Sequence, residues 1–305
     1  MKSLVIFSPA KLNLFLDVLN KRSDGYHNLL TLFERISLCD TIRLTKLQSD
    51  EIVVSSSDPL LPSDKRNLAF QAAELIRFSQ GITQGVKIEI EKNIPMGGGL
   101  GGGSSNAASV LVGLNKLFGL KLRPEILLSY ANRLGSDVAF FVLGKPFALG
   151  RGKGGDLEVL KVSKNIQLWH ILFIPPIQVL TKEVYSLWDK EKISAQRAHE
   201  PREILALTKK APNVNILLSC LQKNKLSLLN RHIYNRLSET VMKSYTSVSD
   251  LKSDLLKSGL KYVHMSGSGS TLFTTFKKEK EAQRIFDILK DRFSHRCRIF
   301  LTHTW

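Results

Sequence analysis

The stretch that most constrains this chain runs from Pro95 to Ala108: Pro-Met-Gly-Gly-Gly-Leu-Gly-Gly-Gly-Ser-Ser-Asn-Ala-Ala. Between Gly97 and Gly103 only Leu100 is not glycine. Glycine tolerates positive φ and lets a backbone approach a ligand closely. The first turn of a helix adds unpaired N–H groups and the positive end of the dipole. A stretch that joins the two is a cradle for an anion, and phosphate is the expected one. Apolar residues at Ala107, Val110, Leu111, Leu114, Leu117 and Phe118 predict the helix, with Ser104, Ser105 or Asn106 available as its cap. Upstream, Val86, Ile88 and Ile90 alternate with Lys87, Glu89 and Glu91, which predicts a half-buried strand.

Other glycine motifs fit this stretch poorly. A Walker loop needs a Lys-Ser/Thr pair after its last glycine, and Ser104-Ser105 follow Gly103 instead. A dinucleotide fingerprint can be spelled from Gly97, Gly99 and Gly102, but Leu-Arg-Pro-Glu some twenty residues on starts a helix rather than ending a strand in an acid. A flexible linker would have no need of an attached amphipathic helix.

With 305 residues, 43% of them apolar, the chain is long enough for one large or two ordinary globular domains. The formal charge of +17 favours acidic ligands, although lysine is spread along the chain and forms no basic tail. Cys39, Cys220 and Cys297 are odd in number and widely spaced, which suits a reducing cytosol and core positions rather than bridges or a metal. The apolar run from Leu4 to Phe7 is short for a secretion signal, and no run approaches a membrane span, so a cytoplasmic location is expected.

Along the chain, Lys11 to Val18 reads as a strand with Leu12, Leu14, Leu16 and Val18 on one face and Lys11, Asn13, Phe15 and Asp17 on the other. Tyr26 and His27 follow the turn formers Ser23-Asp24-Gly25 and precede a second extended run, Leu29 to Leu38. A ring beside an imidazole can hold a heterocycle, or can simply form a surface corner. Further strands are expected at 41–45 and 52–55. Helices are expected from near Asn67 and from Pro124 to Leu134, the latter closed by Gly135. Asp137, at the head of the apolar 135–141 segment, is either a helix cap or a working base. Gly150 to Asp156 reads as a flexible basic turn, with a domain boundary near 160.

In the second half, a strand is expected at 168–175, after which Thr181 and Tyr185 stand one helical turn apart. The polar stretch 189–212 reads as an exposed loop with a short helix. Helices at 213–221, 233–243, 250–258 and 279–293 alternate with strands at 262–265, 271–276 and 298–302, giving an α+β half with an antiparallel sheet. A second backbone-rich turn, Gly267-Ser268-Gly269-Ser270, lies between two of these strands.

Taken together, Ser-Pro-Ala-Lys-Leu-Asn-Leu-Phe-Leu at 8–16, Asp-Gly-Tyr-His at 24–27, the glycine stretch, Gly-Ser-Asp-Val at 135–138 and Gly-Ser-Gly-Ser at 267–270 resemble one family along the whole chain. They are similar to the 4-(cytidine 5′-diphospho)-2-C-methyl-D-erythritol kinases. These form a branch of the galactose, homoserine, mevalonate and phosphomevalonate (GHMP) kinases that serves the non-mevalonate route to isoprenoid precursors. The resemblance implies an α+β fold of two domains. Residues 1–160 would resemble the second domain of ribosomal protein S5, residues 161–305 would be ferredoxin-like, and both ligands would lie in the cleft between them.

The resemblance also implies roles. Asp137 matches a base that takes the substrate hydroxyl proton, and Lys11 a cation that assists it. Asn13 would hold the methylerythritol part. Tyr26 and Tyr185 match rings that sandwich cytosine, His27 the reader of its polar edge, and Thr181 a further substrate contact. ATP phosphates would lie on Pro95, Met96, Gly97, Gly98, Gly99, Leu100, Gly101, Gly102, Gly103, Ser104 and Ser105, with Asn67 near the nucleotide. Mg²⁺ would arrive with ATP, held by waters and one hydroxyl of Ser104 or Ser105, and no residue is assigned as its ligand. The partners implied are small molecules, with no nucleic acid or membrane. Three departures stand out: Ala139 replaces a usual proline, Asp156 a usual glutamate, and an Asn-Asp signature appears only as Asn235-Arg236-Leu237. Two rival readings are another GHMP-type kinase acting on a small alcohol and a basic RNA-binding protein. The first gives no reason for Tyr26 and His27 beside Lys11 and Asn13, and the second leaves Asp137 and the glycine loop unexplained.

Overall fold

The computed structural model describes residues 2–162, 166–198 and 213–305. Its first sheet begins with two long antiparallel strands, β1 (Ser3–Lys21) and β2 (His27–Lys46). Strand β3 (Ile52–Ser56) runs parallel to β4 (Val86–Glu91), which pairs with the end of β2. The start of β2 pairs instead with β5 (Phe147–Gly152), which forms a hairpin with β6 (Asp156–Val159). The basic turn read at 150–156 is therefore only the tip of a hairpin, because Gly150 to Gly152 are still in the ladder. The two runs expected at 29–38 and 41–45 are one strand. A register shift opposite Pro9/Ala10 breaks the alternation there, as a bulge does, without ending the strand.

Four helices accompany this sheet: α1 (Leu68–Ser79), α2 (Gly102–Leu117), α3 (Pro124–Leu134) and α4 (Ser136–Leu143). Asn67 caps α1, its Oδ1 accepting the Ala69 N–H at 2.9 Å. The expected Ser104, Ser105 or Asn106 cap of α2 is not found: the N-cap is Gly101 in the left-handed conformation, and all three side chains lie inside the helix. Only glycine takes that backbone cheaply, so the helix starts earlier than side-chain capping predicts. Alternating apolar positions of β2 and β4 meet the buried stripes of α1, α2 and α4 in one core that includes Ile42, Leu44, Ile88, Leu111, Leu114 and Phe140.

The second half supplies a four-stranded sheet in the order β11-β7-β10-β9, antiparallel at every pairing: β7 (Trp169–Ile174), β9 (His264–Met265), β10 (Leu272–Phe276) and β11 (Arg298–His303). Around it lie α5 (Thr181–Ala198), α6 (Val214–Gln222), α7 (Leu229–His232), α8 (Ser238–Ser244), α9 (Thr246–Lys257) and α10 (Glu279–Phe293). Helix α5 runs on through 189–198, the start of the stretch 189–212 that the sequence reads as an exposed loop with a short helix; residues 199–212 lie outside the described residues. The single helix expected at 233–243 is interrupted, because Tyr234–Asn235 form a short strand, β8, that pairs in parallel with β1 at Phe15 and Leu16. Tertiary pairing overrides local periodicity here.

A second core cluster joins the halves. Ala10, Leu12, Leu14, Phe15, Leu32 and Ile36 of the first sheet pack with Leu172, Ile174, Leu217, Leu221 and Phe273. Strand β1 is consequently buried on both faces from Ser8 to Val18, which is why the charged Lys11 is only 5% exposed.

Candidate active site

The glycine stretch, the turn before β2, the start of α4, the β5–β6 tip and the first turns of α5 line one cleft of about 1100 Å³. One end of it is backbone. Gly97, Gly99 and Gly101 have φ of 71°, 73° and 71°. A Cβ on Gly99 would stand 2.5 Å from the Ser266 carbonyl oxygen and 2.9 Å from that of Gly269, so the loop is wedged against the second backbone-rich turn. Thr271 N–H donates to Gly98 O at 3.3 Å, and Ser266 Oγ to Gly99 O at 3.2 Å. The first N–H groups of α2 lack helical partners and its first turn carries no acid, leaving a positive helix start whose residues Gly102 to Ser104 line the cleft.

A buried polar network supports this end. Ser8 Oγ donates to Ser105 Oγ at 2.8 Å, and Asn106 Nδ2 donates to Ser8 Oγ at 3.0 Å and to Asp40 Oδ2 at 2.9 Å. The sealed Asp40 also pairs with Lys92 at 2.7 Å and accepts the N–H groups of Asn93 and Ile94. Burial pushes the Lys92 ammonium down from its ordinary value while the Asp40 charge opposes that shift.

Beside the loop, Lys11 Nζ lies 2.5 Å from Asn13 Oδ1 and 3.5 Å from Asp137 Oδ2. The shared strand face read from the sequence thus places Lys11 and Asn13 in contact. Asn13 Nδ2 donates to Thr31 Oγ1 at 2.8 Å. Asp137 lies in the first turn of α4, whose N-cap is Gly135, and its side chain caps nothing. Its carboxylate is one-third exposed, lines the cleft beside Lys11 and is open to a hydroxyl there.

The opposite end is made of rings. His27, 7% exposed, stacks on Tyr185 at 5.1 Å and meets Trp188 edge-on at 5.5 Å. Tyr26 is 62% exposed, with Lys153 Nζ 4.3 Å from its ring centroid. Burial, and then the nearby Asp137 charge, push the Tyr185 phenol above its ordinary value. Thr181 Oγ1 and Ser268 Oγ are 2.8 Å apart.

Of the residues named from sequence, all but two line the cleft. Asn67 spends its amide on the α1 cap and on Pro62 O, and Ser105 is sealed beneath the loop. Sequence reasoning missed Thr31, Lys92, Lys153 and Asp189. Asp189 had a readable signal: Thr181, Tyr185 and Asp189 fall at i, i+4 and i+8 on one helix face. Asn235 was noted as a departure, yet its Nδ2 donates to Met265 O at 2.9 Å and Gly267 O at 2.7 Å, fixing the second turn from behind.

The chain matches the family models described as GHMP kinases N terminal domain, at residues 67–145, and GHMP kinases C terminal, at residues 204–295. It shares this two-domain fold with a mevalonate kinase from L. major in complex with R-mevalonate, at TM-score 0.75 and 18% identity over 98% of this chain and 94% of that one. Fold and cleft together define a GHMP kinase. A 4-diphosphocytidyl-2-C-methyl-D-erythritol kinase of Geobacillus kaustophilus is 38% identical over 94% of this chain and 93% of that protein. A crystal structure of 4-(cytidine 5'-diphospho)-2C-methyl-D-erythritol kinase superposes with TM-score 0.76 at 31% identity, covering 99% of this chain and 100% of that one. The chain belongs to the 4-diphosphocytidyl-2-C-methyl-D-erythritol kinase family.

Proposed function

We propose that the protein transfers the γ-phosphoryl group of ATP to the 2-hydroxyl of 4-diphosphocytidyl-2-C-methyl-D-erythritol, giving the 2-phosphate and ADP in the non-mevalonate route to isoprenoid precursors. One observation carries this reading: a backbone phosphate cradle and a stacked imidazole-phenol site occupy opposite ends of a single cleft, with Lys11, Asn13 and Asp137 between them. Phosphoryl transfer asks an enzyme chiefly to position groups and neutralise charge. Asp137 accepts the hydroxyl proton as the new O–P bond forms, and Lys11 steadies the carboxylate and the developing alkoxide. Asn13, held by Thr31, orients the methylerythritol part, and Thr181 touches the same substrate.

The cytosine lies against Tyr26 and Tyr185, with His27 at its edge. The N–H groups of Pro95 to Ser105 and the start of α2 take the ATP phosphates, and Asn67 holds the helix start behind Leu61 and Leu68 at the nucleotide end. Among the described residues no group of three or more His, Cys, Asp or Glu could hold a metal. A Mg²⁺ ion arriving with ATP would still fit, because the Ser104 hydroxyl lines the cleft and would offer it an oxygen donor. When bound, the ion neutralises phosphate charge. We place the domain boundary near residue 160, with residues 1–160 carrying the ATP loop and 161–305 closing the cleft. The partners are then small molecules; no described helix is long and apolar enough to cross a membrane, and we assign the activity to the cytoplasm.

The test is ADP release with Mg-ATP and a panel of alcohols: the cytidine compound, free methylerythritol, its 4-phosphate, mevalonate, homoserine and galactose. Turnover confined to the cytidine compound is expected. Turnover of another alcohol instead would leave the phosphate cradle standing and overturn the substrate.

A further inference from the structure

At the ring-lined end, His27 Nε2 lies 2.8 Å from Asp189 Oδ1, and the other carboxylate oxygen, Oδ2, receives the Lys21 ammonium at 2.5 Å. Burial opposes ionisation of Asp189, but the hydrogen bonds from Lys21 and His27 outweigh it and hold the carboxyl below its ordinary value. An ionised carboxylate only accepts, so the proton between the two residues resides on His27 Nε2. With that one proton on the ring, Nδ1 is a bare acceptor. Among the described residues nothing pairs with Nδ1, it is not among the sealed, unpartnered polar atoms, and His27 lines the cleft. The ring is held in place by the Tyr185 stack and the Trp188 edge.

The geometry points to Asp189 as a positioning residue that fixes His27 as a hydrogen-bond acceptor toward the cleft, selecting cytosine over uracil in the diphosphate substrate. This rests on the reading that a cytidine diphosphate compound occupies the cleft, and it concerns a residue that touches His27 rather than the substrate. Cytosine offers a 4-amino donor to that acceptor. Uracil carries a carbonyl at the same place, so two acceptors would face each other in a half-dry site. A mispaired buried polar group of this kind discriminates on the order of 10²-fold.

Asp189→Asn reverses the arrangement. Lys21 only donates, so it holds the single amide oxygen of the new side chain and turns the NH₂ toward His27. The imidazole must then accept at Nε2 and carry its proton on Nδ1, which favours uracil. Asp189→Ala removes the bias without reversing it.

The experiment measures kcat/KM for the cytidine substrate and its uridine counterpart, with the KM for ATP, in the wild type and both variants. It adds ¹⁵N NMR of the His27 ring in the wild type. Expected are an Nε2–H tautomer and a cytidine preference on the order of 10²-fold in the wild type. In Asp189→Asn the preference should drop by at least about tenfold while the KM for ATP stays within about twofold, with Asp189→Ala intermediate. A residue that merely supports the fold would lower both substrates alike, so an unchanged ratio overturns the proposal. So does a proton on Nδ1 in the wild type, a result that stands even if the variants do not fold. Absence of cytidine turnover in the wild type would instead overturn the proposed function itself.

Discussion

The two ends of the cleft are built on opposite principles. The glycine-loop end, to which we assign the phosphates, is continuous backbone, Pro95 to Ser104, wedged between Lys11, whose N–H donates to Leu100 O at 2.9 Å, and the Ser266–Gly269 turn. The ring-lined end gathers side chains from three separate segments: Tyr26 and His27, Lys153, and the Tyr185–Asp189 face of α5. A phosphate asks for N–H donors, which every residue but proline owns, so selection acts on what must be absent. A nucleobase asks for particular acceptors and rings, so selection acts on what must be present.

Substitutions can break or sharpen that contrast. The largest effect is expected at the junction of the ends. Asp137→Asn should lower kcat on the order of 10²- to 10⁴-fold with ATP affinity retained, as steady-state kinetics and nucleotide titration would read; near-normal turnover would sink the general-base role. His27→Ala should raise the KM for the cytidine substrate about ten- to hundredfold and leave the KM for ATP in place. An equal rise in both would mean that the ends are not separate sites.

Gly99→Ala should cost at least about 1–2 kcal/mol in urea unfolding, from the left-handed backbone alone, and should weaken ATP binding because its Cβ would push the Ser266 carbonyl away. Gly25→Ala, at φ 83° in open space beside Tyr26, should cost about 1 kcal/mol and leave ATP kinetics untouched. If the two glycine variants behaved alike, the wedging of the phosphate loop would be the wrong account of its glycines.

The sequence was most readable where structure is local. The loop, the helix start near Asn67, the Pro124 and Gly135 boundaries and the helix Glu279–Phe293 follow from spacing and turn chemistry over a few residues. It was least readable where distant segments decide. The bulge in β2 is visible only opposite Pro9, the Tyr234–Asn235 strand exists because β1 offers it an edge, and Ser105 is drawn inward by Ser8, 97 residues away. In the site, Lys11 and Asn13 were placed together by strand alternation. Asp189 was hidden because it belongs to a polar stretch that reads as loop, and its meaning depends on His27 and Lys21, 162 and 168 residues earlier.

The core that Leu12, Leu14 and Phe15 share with Leu172, Ile174 and Phe273 has a consequence for traffic through the cleft. Halves joined by a dry apolar seam do not swing apart like a nutcracker, since opening the seam would wet the side chains that hold it shut. Entry and exit are then expected to be local, by the exposed Gly25–Tyr26 corner and the Lys153 tip at the ring-lined mouth. The slow step of product release, if release is slow, would then be paced by a few surface residues while the floor of the cleft stays still.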